Sequence, residues 1–397
     1  MDKKKNILMV AYYAPPYGAV GAVRITKFVK YLLKLDWNVT IITVKEKYYT
    51  KYNWEWLNDV NGAKIIRTDI AKYHVPGLNE QGFYWIRHLK SAIKKELKKN
   101  IYDISYWTGG PFMHWSVAAW TKKKYGLKYV LDFRDPWFLS PYSKNTKALK
   151  IRNYIYKKVE NKVIREASLV INVTEEATKL YENYYSTEPG EKFVTIYNGY
   201  DLDDFDFTAK SSKDKTLKIT YTGKFGHFRD PRPFLQAFKQ LIKIKNITDD
   251  LIKFVWIGEQ EGHVITEINN MGLQNYVDLK GFIPYNEAMK VLSGSDYGLL
   301  IAGNHPFEPT TKIFDYLAIN MPIIALVNTE GFITRTLSNV KYTYVVKNNK
   351  TDIYALLLNI YENKITIPEA SEKMDSSGIF DRQKLTNKLR EELLRLI

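Results

Sequence analysis

The sequence predicts an α/β chain of two doubly wound domains, and three observations carry that prediction. The chain has 397 residues, more than one small hydrophobic core accommodates. Its first third opens on a strand, a glycine-bearing loop, a helix and a second strand, the pattern of a βαβ unit in a parallel sheet. The same alternation restarts after a polar, charge-rich stretch, Asp201 to Lys215. The expected organisation is therefore a first domain over 1–205, a second over 206–375, and a C-terminal helix in 376–397 that packs back on the first.

Taken in order, Ile7-Leu-Met-Val-Ala11 is a short buried strand. Tyr12 to Gly21 forms a loop holding Pro15, Pro16, Gly18 and Gly21. Ile25, Phe28, Val29, Leu32 and Leu33 then share one helical face, and Asn38 to Val44 is the next strand. The loop is neither a G-x-G-x-x-G fingerprint nor a P-loop. Gly18 and Gly21 either let backbone approach a ligand, with Arg24 on the first helical turn facing an anion, or serve a tight turn. A strand is expected at Lys64 to Arg67. From Tyr84 to Asn100, Ile86, Leu89, Ile93 and Leu97 form a stripe on a strongly basic helix. Such a helix either packs on the sheet or lies on anionic lipid, and Lys144 to Arg165 repeats its basic character.

Ile104 to Trp107 and Tyr129 to Leu131 are further strands. The second runs into Asp132-Phe-Arg-Asp-Pro-Trp137, where Asp132, Arg134 and Asp135 stand at a strand end as a chemical cluster or a structural ion cluster. His114 opens the helix between these strands. Leu169 to Thr174 is another strand, and Phe193 to Tyr197 leads into Asn198-Gly-Tyr-Asp201. In the second half, strands are expected at Leu217 to Thr222, Lys253 to Ile257 and Val277 to Leu279. The loop Gly223 to Arg232 follows the first of these.

Thr310 and Thr311 look like a helix start, with Ile313, Phe314, Leu317 and Ala318 as the buried face. Asn320 and Pro322 stop the helix before a strand from Ile323 to Val327. Strand ends and helix starts in open α/β sheets favour phosphate, because unpaired N–H groups collect there. Lys312 adds a mobile positive charge. Asp315, one turn on from Thr311, offers a carboxylate able to accept two ribose hydroxyl hydrogens. At the C-terminus, Leu385, Leu389, Leu393 and Leu396 are spaced for burial on a final helix.

Composition bounds the function classes. The chain has no cysteine, which excludes disulfides and thiolate metal sites. Its formal net charge of +16 calls for a polyanionic partner. The Lys and Arg residues are not interleaved with a nucleic-acid reading motif, so a nucleic acid is not the expected partner. The six histidines form no ligand-like pair, and Asp201-Leu-Asp203 only imitates a metal-binding D-x-D. Neither a metal nor a cofactor is expected. No apolar run reaches membrane-spanning length, and a cytoplasmic location is expected, with peripheral contact on the inner face of the cell membrane.

These motifs together resemble the two-domain GT-B glycosyltransferases, closest to the family 4 type of retaining, sugar-nucleotide-dependent enzymes. The resemblance is carried by Tyr17 to Arg24, Asp132 to Trp137, Asn198 to Asp201, Gly223-Lys224 with Arg229-Asp-Pro-Arg-Pro-Phe-Leu235, Gly281-Phe-Ile-Pro284 and Thr310 to Ala318. It implies two Rossmann-like domains facing a cleft, and a sugar moved from a nucleoside diphosphate sugar to an acceptor hydroxyl. It further implies that Lys224 and Arg229 grip the donor diphosphate, that Gly281 and Phe282 border the base, and that Gly18, Gly21, Gly223, Thr310, Thr311, Lys312 and Asp315 complete the donor site. Two departures stand out. The family's paired glutamates lie seven residues apart, whereas counting back seven from Asp315 gives Phe307, with Glu308 one place late. A first-domain histidine of many relatives is replaced by Arg134 and Asp135, leaving those two as catalytic candidates and His114 with Arg24 as acceptor-side candidates. The expected acceptor is a lipid-linked glycan precursor of surface polysaccharide or glycan assembly. The alternatives are a GT-B sugar-nucleotide epimerase and a non-enzymatic basic nucleic-acid binder.

Overall fold

The computed structural model describes residues 4–72, 80–140, 147–205, 216–226, 229–303, 310–363, 374–375 and 377–397, with the side chains of 147–151 excepted. It divides into two compact units, Met1–Asn198 with Arg382–Ile397, and Gly199–Asp381. The change of unit falls at 198/199, ahead of the polar linker, because Tyr200 already pairs with Asp381 and its phenol donates to Asp375.

The first unit is built on strands β1 (Asn6–Val10), β2 (Asn38–Val44), β3 (Lys64–Thr68), β4 (Ile104–Thr108), β5 (Tyr129–Phe133), β6 (Leu169–Asn172) and β7 (Phe193–Thr195). They form one parallel sheet in the order β3-β2-β1-β4-β5-β6-β7. Its helices are α1 (Val20–Lys34), α2 (Trp56–Asp59), α3 (Gln81–Leu97), α4 (Ser116–Tyr125), α5 (Lys147–Glu166) and α6 (Glu175–Tyr184). Near-continuous apolar strands such as Ile7 to Val10 are what a sheet covered on both faces demands.

The second unit has β8 (Leu217–Thr222), β9 (Ile252–Ile257), β10 (Val277–Gly281), β11 (Tyr297–Ile301), β12 (Ile323–Val327) and β13 (Thr343–Lys347), ordered β10-β9-β8-β11-β12-β13 and again parallel. Its helices are α7 (Arg232–Lys245), α8 (Gly262–Asn270), α9 (Tyr285–Ser293), α10 (Lys312–Ala318), α11 (Phe332–Ser338) and α12 (Lys350–Tyr361). The last helix of the chain, α13 (Arg382–Leu396), belongs to the first unit. It buries Leu385, Leu389 and Leu393 with Ile25, Phe28, Val29 and Leu32 of α1.

Strand order reverses between β1 and β4 in the first sheet and between β8 and β11 in the second. Crevices outside the strand C-termini open at such switch points, which makes the loops after these strands the places to look for ligand chemistry. The basic helix α3 is not lipid-facing through its apolar stripe. Tyr84, Trp85, Leu89 and Ile93 are buried in the core with Trp107 and Trp115, leaving Arg87, Lys94, Lys95, Lys98 and Lys99 exposed. No described helix is long and apolar enough to cross a membrane.

Candidate functional site

In the second unit the switch point between β8 and β11 is occupied by a tightly tied glycine loop. β8 buries Ile219 and Tyr221, ends at Thr222, and turns at Gly223 with φ of +92°. The Gly223 N–H donates to Ile257 O at 2.6 Å, and the Trp256 indole N–H donates to Gly223 O at 2.8 Å. Gly258 lies directly against this turn. A Cβ there would come within 2.7 Å of Gly223 O, at a φ of +138° that side chains rarely adopt. The next amides, Phe225 N and Gly226 N, donate to the Glu261 carboxylate at 2.7 and 2.9 Å. The amides of Gly223, Phe225 and Gly226 therefore already have protein acceptors.

Positive charge at this loop comes from side chains. Lys312 Nζ donates to the Tyr221 hydroxyl at 2.9 Å and lies 4.1 Å from the centre of its ring. The Lys312 Cε is only 3.2 Å from where a Cβ of Gly223 would stand, so the lysine lies along the glycine turn. Arg229 is half-buried, and its charge draws down the pKa of Tyr221, which burial otherwise raises. Lys224 points differently: it is exposed, with its ammonium 3.7 Å from the Glu259 carboxylate. Of the two cations expected at the diphosphate, Lys224 turns toward Glu259, and it is Lys312 that lies at Gly223.

α10 begins at Lys312 with Thr311 as its N-cap and is 7 residues long. Thr310 is buried and Thr311 exposed. Asp315, one turn in, is half-buried and accepts from the Tyr285 hydroxyl at 2.9 Å. Burial pushes its pKa up to about 7; the Tyr285 hydrogen bond and Lys312 pull against that, and Asp204 adds to it. Tyr285 opens α9 just beyond Gly281 (φ of +67°) and Phe282, whose ring is 81% exposed. The exposed Phe282, the Asp315 carboxylate and the Lys312 ammonium thus all lie on segments that follow the C-terminal ends of β10 and β11. Glu308 lies outside the described residues. Tyr221, Glu261, Gly258 and Tyr285 escaped the sequence reading, because nothing in local spacing shows which loop a tyrosine or glutamate on another element will meet.

The first unit corrects several expectations. Arg24 does not face an anion; it is buried, and its Nε and Nη2 donate to Asp132 at 2.9 and 2.8 Å. The remaining guanidinium donors reach Ile196 O and Tyr197 O at 2.9 and 2.7 Å. Asp132 also accepts from Thr108 Oγ1 at 3.0 Å. The pair is a structural ion cluster that joins α1, β4, β5 and the segment after β7. His114 is no acceptor contact either. It is fully buried beside Trp85 and Trp107, with ring centres 5.0 and 6.1 Å away, and burial lowers its pKa to about 3. A neutral core imidazole is the result.

Gly18 approaches protein rather than ligand, since a Cβ there would meet the Tyr52 carbonyl carbon at 2.5 Å. Gly21 contacts Arg134, whose Nη1 donates to Gly21 O at 2.5 Å while its Nε donates to Gly109 O at 2.9 Å. Neither glycine has positive φ, so the tight-turn alternative fails as well. Arg134 links the first turn of α1 to the loop after β4, and Asp135 beside it is exposed. The imitation metal motif is accounted for: Asp201 Oδ1 accepts from Asp203 N at 3.2 Å, capping a single helical turn.

Two buried carboxyl groups hold the neighbouring loops. Glu80 accepts from Phe83 N at 2.9 Å and Phe112 N at 2.6 Å, capping α3 and fixing the loop after β4. Burial raises its pKa. Glu160, lifted by burial to about 7, accepts from Phe138 N at 2.7 Å and so fixes the loop after β5. These loops border a cavity of about 190 Å³ walled by Phe112, Trp137 and Tyr156. Arg152 lies at its edge over the Tyr156 ring, with its Nε buried and without an acceptor among the described residues.

With this geometry in place, comparison with known proteins is informative. The model of Glycosyltransferase Family 4 matches residues 21–204. No curated protein sequence matches the chain. Among solved structures, Anabaena HepE in complex with UDP aligns over 98% of this chain and 100% of its own, with 14% identity and a TM-score of 0.68. A glycosyltransferase from Rickettsia africae covers 99% and 98%, at 17% identity and a TM-score of 0.68. A putative UDP-N-acetylglucosamine 2-epimerase from Listeria monocytogenes covers 98% and 95%, at 12% identity and a lower TM-score of 0.61. At such identities these likenesses show the fold, which is GT-B.

Proposed function

We propose that this chain, a family 4-like glycosyltransferase of the GT-B fold, moves a hexose-type sugar from a nucleoside diphosphate sugar to an acceptor hydroxyl. The observation that carries the proposal is Lys312 lying along the Gly223 turn, with the Arg229 charge acting on Tyr221 and the Asp315–Tyr285 pair one helical turn away. Asp315 is suited to ribose hydroxyls and the exposed Phe282 ring to a base edge. The binding of UDP by a GT-B protein of similar fold supports a nucleotide-sugar donor.

The chemistry asks little beyond placed charge. As the bond from the anomeric carbon to the diphosphate oxygen breaks, its electron pair leaves with the nucleoside diphosphate. The acceptor oxygen forms the new bond and gives up its proton. Negative charge grows on the leaving group, so cations aimed at it stabilise the transition state more than the ground state. Lys312 and Arg229 are the cations we assign to this, with Lys224 joining them once it releases Glu259. α10, at 7 residues, has only a small dipole to add, which puts the weight on the side chains.

The acceptor-side role falls to the first unit. We assign the acceptor class as a lipid-linked glycan precursor, met by a peripheral enzyme at an anionic membrane face during surface glycan assembly. The net charge of +16 supports this, as does the aromatic cavity beside Arg152, which suits an acceptor with both apolar and anionic parts.

A thermal-shift screen against UDP-, GDP-, ADP- and dTDP-sugars tests the donor assignment. A specific donor at 100 times its dissociation constant adds about 2.7 kcal/mol of stability. One nucleotide class is expected to stabilise the wild type, with the effect lost in Lys312→Ala and Asp315→Ala. Stabilisation that survives in both variants would place the donor elsewhere.

A further inference from the structure

One surface of the first unit has no part in the donor chemistry and carries two features side by side. The first is a groove of about 480 Å³ between the edge strand β3 and the outer face of α3. Lys45, Lys64, Arg67, Lys95 and Lys99 line it, against only two carboxylates, Asp69 and Glu96. Lys45 pairs with Asp69, Lys64 with Glu96, and Arg67 with Glu46 from outside the groove. Lys95 and Lys99 are exposed and have no carboxylate partner among the described residues. Lys47, 60% exposed on the rim, shares the Asp69 carboxylate with Lys45, at 2.8 Å.

The second feature is an exposed aromatic pair. Tyr52 and Trp54 stack with ring centres 5.7 Å apart and planes within 4°, and they are 47% and 60% exposed. Val20, another exposed apolar side chain, follows two residues after Gly18, which packs on the Tyr52 backbone. Pair and groove are continuous. The Tyr52 hydroxyl donates to Glu46 O, and the Glu46 carboxylate holds Arg67 on the groove wall at 2.6 Å.

An isolated exposed tyrosine would need no explanation. A stacked Tyr/Trp pair next to a groove in which cations outnumber carboxylates and Lys95 and Lys99 lack a carboxylate partner among the described residues is a different object. Indole and phenol rings favour the headgroup level of a bilayer, where one end is apolar and the other wet. Clustered lysines favour the negative potential of anionic lipid. A nucleic acid would use the charge and could stack on the rings, but it leaves the aliphatic Val20 without a role.

We propose that this face, with Tyr52 and Trp54 at its tip and the Lys95–Lys99 groove behind, docks the protein on an anionic lipid surface. The inference deepens the membrane part of the functional reading and rests on it. It also moves the contact away from the apolar stripe of α3, which is buried, to that helix's basic flank and the edge of the sheet.

Co-sedimentation with phosphatidylcholine vesicles, with and without about a third phosphatidylglycerol, tests it. Wild type is expected to partition onto the anionic vesicles alone and to be released by salt. Lys95→Gln/Lys99→Gln is expected to weaken partitioning about 30-fold, at roughly a fivefold loss per lysine. Tyr52→Ala/Trp54→Ala is expected to weaken it about tenfold by removing the rings. Lys157→Gln/Lys158→Gln on α5 serves as the charge-matched control and is expected to change it less than about threefold. The proposal is overturned if anionic vesicles capture nothing, if the control pair loses as much as the groove pair, or if poly(U) is bound while vesicles are not. Donor thermal shifts measured without vesicles separate the two readings. Lost vesicle binding with an intact donor shift sinks the docking face alone, whereas intact vesicle binding with no donor shift sinks the transferase assignment alone.

Discussion

The Arg24–Asp132 pair shows what burial does to a charged residue that looks functional in sequence. Both side chains are almost completely buried, and the guanidinium reaches Asp132 and two backbone carbonyls. Asp132→Asn leaves that guanidinium without its counter-charge, and breaking one partner of a buried pair costs about 3–5 kcal/mol. The expected result is a correspondingly lower urea midpoint, with much of the loss recovered in Arg24→Met/Asp132→Leu. An Arg24 that met an acceptor instead would leave stability nearly unchanged on substitution. Asp315 makes a second prediction at this scale. Its pKa is raised to about 7, so it ionises as pH rises through neutrality, and the ionised form is the better acceptor for ribose hydroxyls. A nucleoside diphosphate sugar is a diester with no phosphate titration in this range. Its affinity, followed by titration calorimetry from pH 5.5 to 8, is therefore expected to rise in wild type and stay flat in Asp315→Asn.

At the scale of elements, the part of the second sheet hardest to read explains how α10 is held. The strand β11 was not legible because Gly298 interrupts a short apolar run, and glycine in a strand usually argues against one. The structure gives the reason for it: a Cβ on Gly298 would come within 2.8 Å of the Tyr316 ring of α10. The missing side chain lets α10 lie close on β11, where the Tyr316 hydroxyl donates to Leu299 O at 2.9 Å. Gly298→Ala is accordingly expected to push α10 outward, costing about 1–3 kcal/mol of stability. Because Lys312 and Asp315 ride on that helix, donor affinity is expected to drop about tenfold or more in calorimetry. Unchanged affinity would mean that α10 does not position the donor. By contrast, α10 itself, β12 and α13 were legible, since their apolar spacing matched the faces they bury. β13 was not, because it is a half-exposed edge strand without a continuous apolar run.

At the scale of the molecule, two parallel sheets and the βα alternation were readable from hydrophobic period and loop composition. Where each charged side chain points was not. Arg24, His114 and Gly18 sit at positions that ligand-binding residues often occupy, and each is turned inward by a neighbour distant in sequence: Asp132, Trp85 and Tyr52. Lys312 and Asp315 lie on the helix that follows β11 and Arg229 in the loop after β8, the two strands that meet at the switch point. The excess positive charge was visible as a total, but its concentration beside Tyr52 and Trp54 depends on β3 lying at the sheet edge.

The central claim is that a nucleoside diphosphate sugar reacts at Lys312 and Arg229 and that its sugar leaves for an acceptor. Phosphorus NMR of the stabilising donor, incubated with protein in the presence and absence of a bacterial lipid extract, tests it most directly. Release of free nucleoside diphosphate is expected to require the extract and to be abolished in Lys312→Ala. Conversion of the donor to another sugar nucleotide without any release, or release that is indifferent to Lys312, would contradict it.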